Sequence, residues 1–223
     1  SVAWLSLTLL PLVRQFGVIF PLGEALQALA QRRFRAAATA LLTMLPLGAL
    51  CVLWHGFAPD APRAEIQSGV HRAYGWFLPY VATYHVAALG FYLAPIAWTI
   101  PLTRRFWLFG LASALAYALA PAHQNFSAQL AGSGVTTLGL VHRGALLLGP
   151  RAAQVALGAL AFVGGGLVGE ALADQGALRF FVALFIALSV LNFQAWDKYL
   201  LDVIPAALLA LLASRSASRP VRA

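Results

Sequence analysis

Apolar runs of about twenty residues recur along this chain, each closed by a basic turn or a polar loop. A helix of about twenty residues matches the roughly 30 Å hydrocarbon core of a bilayer, so this recurrence constrains the fold more than any motif does. The runs are continuous rather than alternating, which predicts membrane helices and not the strands of a membrane barrel. Composition agrees. Of 223 residues, 61% are hydrophobic and 10% are charged, too few charges to cover a water-facing surface. The expected fold is all-α: a polytopic integral membrane helix bundle with about seven transmembrane helices.

The segments fall at about 4–29, 36–57, 77–101, 106–120, 151–171, 177–193 and 199–213. Pro11 and Pro21 lie in the first and predict bends or a broken helix there. The third is rich in aromatic residues and holds His85. Two long connections, 58–76 (a polar loop or a helix lying along the interface) and the weakly apolar 121–150, and the turn 193–198 separate the spans. Residues 1–213 read as one transmembrane domain, and the Arg- and Ser-rich 214–223 as a tail without order.

Net charge is +8, fourteen arginines and one lysine against seven acidic residues. In so apolar a chain these cations read as topology signals, and no nucleic-acid partner is expected. With seven crossings, one side receives Arg32, Arg33, Arg35, Arg104, Arg105, Arg179, Arg215, Arg219 and Arg222. The other receives Arg63, Arg72, Arg143, Arg151 and Lys198, nine against five. The C-terminus is therefore expected in the cytoplasm and the two long loops outside it. The N-terminus then starts outside with no signal peptide before it, which leads to the expectation that the chain is the C-terminal part of a larger protein. Cys51 is the single cysteine, so no intrachain disulfide forms.

Few residues carry chemistry. Arg14 lies inside an apolar run, where an arginine costs about 2.5–3.5 kcal/mol on insertion scales and needs a partner or water. Its guanidinium fork suits a lipid phosphate or pyrophosphate, with Gln15 as a second donor; an ion pair elsewhere in the bundle, or snorkelling to the outer interface, is the structural alternative. Asp197, Lys198 and Tyr199 open the last segment. They read either as an interfacial anchor or as a lysine that meets an anion with the aspartate orienting it. His71-Arg72 and His142-Arg143 are two similar pairs on the outer connections, suited to phosphate or sugar hydroxyls and equally to plain solvated loops. His85 and His55 suit helix packing, and Asp60 and Glu65 are weak general-base candidates. No histidine spacing supports a metal site, and no cofactor is implied. Gly164-Gly165-Gly166-Leu167-Val168-Gly169 matches a dinucleotide fingerprint only formally, because it lies in an apolar span with no strand before it. Gly165 and Gly169 are instead expected on a small-residue packing face.

Two stretches resemble a known family. Asp197-Lys198-Tyr199-Leu200-Leu201-Asp202-Val203-Ile204-Pro205 is similar to the D-R-Y-L-L-P-L-L-P pattern near the C-terminus of many bacterial GT-C superfamily glycosyltransferases, which resemble the dolichyl-phosphate-mannose protein mannosyltransferases. Val13-Arg14-Gln15-Phe16-Gly17 with Pro21-Leu22 resembles their T-R-Q-x-G-x-x-x-P-L segment. Lys198 stands where arginine is usual and Asp202 where the first proline is usual, so Asp202 can pair with Lys198 one turn away.

The resemblance implies sugar transfer from a polyprenyl-phosphate-sugar donor lipid to an unknown acceptor, on the extracytoplasmic face of a bacterial inner membrane. It also implies a catalytic acid upstream of Ser1. The rival readings from the residues are a transporter or flippase, suggested by the proline-broken first segment, and a non-catalytic membrane subunit.

Overall fold

The computed structural model describes residues 6–9, 15–54, 77–100, 102–121, 139–173, 176–191, 200–201 and 203–218. Every element named below is helical. A 3-10 turn at Gln15–Val18 leads into α1 (Ile19–Ala30), followed by α2 (Phe34–Leu42) and α3 (Leu45–Leu53). After residues 55–76 come α4 (Pro79–Ala97) and α5 (Arg104–Leu119). A short helix, α6 (Leu140–Leu148), precedes α7 (Pro150–Ala171), α8 (Leu178–Ser189) and α9 (Val203–Ser218).

Local chemistry sets the boundaries. α1 stops at a two-bond cap in which Arg32 N donates to Leu29 O and Arg33 N to Ala28 O. The cap needs a left-handed residue, and Arg32 fills it at φ 58 where glycine is usual. α2 and α3 continue one apolar rod, Phe34–Leu53, interrupted at Thr43 and Met44. Pro46 lies in the first turn of α3, where its missing N–H breaks no hydrogen bond. Pro21 sits in the first turn of α1, directly after the 3-10 turn. α5 begins at Thr103, whose hydroxyl accepts from Arg105 N at 3.1 Å.

Among the described residues, three helices are long and apolar enough to cross a membrane: Phe34–Leu53, α4 and α7. Ile19–Ala30, Leu178–Ser189 and Val203–Ala213 are apolar but shorter. Burial locates the core: it takes 61% of the apolar window of α4 and 50% of that of α7, against 17% in Phe34–Leu53. α7 is central and packs on α4 and α5, while α8 lies against α1, α9 and α4.

Glycine permits the closest of these contacts. A Cβ on Gly90 of α4 would run into the carbonyl of Leu160, and one on Gly164 of α7 into that of Val86. Gly165 and Gly169 face Phe109 of α5, as the small-residue reading expects.

Contacts along the chain fix the helix directions. Thr103 meets Glu170 at one end of α5 and α7, and Gly158 lies against Tyr117 towards the other, so α5 and α7 are antiparallel. Thr83 Oγ1 donates to Ala120 O at 3.0 Å, which makes α4 and α5 antiparallel as well. Leu78 N donates to Val190 O at 2.6 Å, setting the start of α4 beside the end of α8. One end of the bundle therefore holds the starts of α4 and α7 and the ends of α5 and α8. Segments 122–138 and 192–199 both leave from that end, and 55–76 returns to it. The opposite end carries Arg104, Arg105 and the turn that opens α8 at Arg179.

Two expectations change. The connection 121–150 is not all loop, because residues 140–148 fold as α6. The apolar run that ends near 213 continues as helix through Ser218.

Candidate functional site

Among the described residues, buried polar side chains lie towards both ends of the bundle. At the loop-bearing end, His85 of α4 is completely buried, and so is Ser189 of α8. His85 Nδ1 and Ser189 Oγ are 2.8 Å apart, and Ser189 Oγ donates to Phe185 O at 2.7 Å. The serine proton is thus spent on the helix carbonyl, and its lone pair faces the imidazole. This network assigns the ring proton of a neutral His85 to Nδ1 and leaves a lone pair on Nε2. Aromatic rings surround the pair. Phe185 lies 5.2 Å from His85 between centroids, and Tyr84 lies 6.2 Å away. His142 of α6 stands edge-on to Tyr84 at 6.4 Å.

At the opposite end, Glu170 near the end of α7 is only 6% exposed. Its Oε1 accepts from the Thr103 hydroxyl and from Phe106 N, the latter at 3.1 Å. A carboxylate there meets both the unpaired amides and the positive end of the α5 dipole. Arg104 and Arg105 lie exposed on the same first turn. Arg179 is half-buried, with its guanidinium carbon 4.7 Å from the Phe180 ring centroid.

The residues expected from sequence fare unequally. His142 is buried on α6 rather than solvated in a loop, because the amphipathic pattern of 140–148 turns Val141, His142 and Ala145 inward. Its neighbour Arg143 is exposed. Gln15 lies in the 3-10 turn before α1. Arg14, His71, Arg72, Asp197, Lys198 and Tyr199 lie outside the described residues.

Sequence reasoning missed two pairings, His85 with Ser189 and Thr103 with Glu170. Glu170 carried a usable signal, since it is the acid near the end of an apolar run and Thr103 opens a helix before two arginines. Among the described residues, no group of three or more His, Cys, Asp or Glu side chains converges as a metal site would require.

The described residues define an all-helical bundle in which three helices can span a membrane and polar groups are buried at both ends. No protein-family model, no curated protein and no solved structure matches the chain.

Proposed function

We propose that the chain forms the seven-pass transmembrane part of a glycosyltransferase that takes its sugar from a polyprenyl-phosphate-linked donor on the extracytoplasmic face. One observation carries this reading: segments 122–138 and 192–199 leave from, and 55–76 returns to, the end of the bundle that buries the His85–Ser189 cluster. Arg104, Arg105 and Arg179 gather at the other end, which by the positive-inside rule supports a cytoplasmic setting for that end; the bacterial inner membrane rests on the family resemblance. In sequence Lys198 and Tyr199 directly precede Leu200, and His71 and Arg72 lie five or six residues before Phe77.

Under this reading Arg14 and Lys198 hold the donor phosphate, for which charge-assisted hydrogen bonds are the strongest available contact. Arg143, exposed on α6, is a further contact. The test uses the full-length protein reconstituted with a polyprenyl-phosphate hexose. Sugar transfer that falls at least tenfold in Arg14→Ala and in Lys198→Ala supports the assignment, a loss of about 1.4 kcal/mol for each cation. Solute uptake without sugar transfer replaces it with the transporter reading.

A further inference from the structure

His85 is fully buried, yet the Ser189 bond satisfies only one of its nitrogens. Among the described residues, Nε2 has no hydrogen-bond partner. A buried acceptor left unmet carries a desolvation penalty, and the interior of a membrane bundle supplies little water to relieve it. The side chains described around the imidazole are Ser189 and the rings of Tyr84 and Phe185, none of them charged.

Glycines in conformations that favour that residue flank the element beside this cluster. α6 places His142 edge-on to Tyr84, the chain neighbour of His85. Gly139 at φ 149 and Gly149 at φ 76 flank it, and they are the two positive-φ glycines among the described residues. Gly149 pairs its φ with ψ 166, a region essentially reserved for glycine. A Cβ on Gly149 would meet nothing within 4 Å, so backbone conformation rather than space accounts for glycine there. A nine-residue helix between two such points can turn as a unit.

We propose that His85 Nε2, beside the glycine-flanked helix α6, is the binding point for a hydroxyl of a neutral sugar, reached when α6 swings about Gly139 and Gly149. This deepens the glycosyltransferase reading and rests on it. The lone pair accepts one sugar hydroxyl, and the faces of Tyr84 and Phe185 stack against the C–H surface of the ring. An anion gains nothing from a lone pair and aromatic faces, so the donor phosphate lies outside this cluster.

The test uses the full-length protein in lipid nanodiscs with ¹⁵N-labelled histidine, titrated with octyl glucoside or with octyl phosphate. His85→Asn assigns the Nε2 resonance, because the asparagine amide reproduces the donor to Ser189 and removes the Nε2 acceptor. The expected result is a saturable upfield movement of the wild-type Nε2 resonance with octyl glucoside and none with octyl phosphate. Gly149→Ala, which strains the closed backbone, lowers the apparent dissociation constant for the glucoside severalfold. A resonance unmoved at saturating glucoside in both proteins, or one that moves equally with octyl phosphate, overturns the proposal. Transfer from a polyprenyl-phosphate hexose, measured in the same nanodiscs, separates the two readings. A shift without transfer keeps the sugar site and rejects the glycosyltransferase. Transfer with an unchanged KM in His85→Asn and no shift rejects the site and keeps the enzyme.

Discussion

Gly90 and Gly164 meet where α4 crosses α7, each presenting backbone where the other would carry a side chain. A Cβ on Gly164 would overlap Val86 O and lie 2.8 Å from Gly90 N. Backbone cannot step aside as a flexible side chain can, so the two helices must part. Gly164→Ala is expected to cost about 1–3 kcal/mol, or somewhat more. Gly48 of α3 has nothing within 4 Å, so Gly48→Ala is the matched control and is expected to be neutral or mildly stabilising. Thermal unfolding in detergent, run on both variants, checks the contrast.

Glu170 completes the N-terminus of α5 from another helix. Glu170→Ala strands the Thr103 hydroxyl and weakens the bonding of Phe106 N, which keeps a longer contact to Thr103 Oγ1 at 3.4 Å. The expected loss is about 2–3 kcal/mol, since one unmet buried donor costs about 1–3 kcal/mol. Glu170→Gln keeps an oxygen acceptor and loses the charge at the helix end, for an expected loss of about 1 kcal/mol. Denaturation midpoints in the order wild type, Gln, Ala check this. Equal losses for Gln and Ala would show that the charge, not the acceptor, matters.

The buried His85–Ser189 bond makes a prediction about coupling. Ser189→Ala leaves Nδ1–H without its acceptor in a fully buried site, at an expected cost of about 1–3 kcal/mol. In His85→Phe the imidazole is gone, and the further change Ser189→Ala strands nothing. The double variant is therefore expected to be more stable than the sum of the singles, by a coupling of about 0.5–3 kcal/mol. A double-mutant cycle of unfolding free energies reads it directly, and strict additivity would remove the bond from the account.

Much of the architecture was legible because apolar length and basic turns are one-dimensional signals. Phe34–Leu53, α4 and α7 stand where apolar runs met proline, arginine or polar loops. The small-residue face of α7 was legible in part: Gly165 and Gly169 follow the four-residue spacing, but Gly164 turns to a different helix, and its partner Gly90 lies far away in sequence. His142 misled because its own stretch is weakly apolar, and only the periodicity of Val141, His142 and Ala145 reveals a buried face. The pairing of His85 with Ser189 spans 104 residues and followed from neither residue alone. The span count rests on short helices such as α8, which length alone does not settle.

Which end of the bundle faces outward decides where the chemistry takes place, and site-directed labelling measures that directly. In a Cys51→Ser background, Arg143→Cys and Arg105→Cys place single exposed thiols at opposite ends of the bundle. A membrane-impermeant maleimide applied to intact cells is expected to label Arg143→Cys at once, and Arg105→Cys only after permeabilisation. Labelling of Arg105→Cys in intact cells, with Arg143→Cys protected, would contradict the account by placing the polar end of the bundle in the cytoplasm.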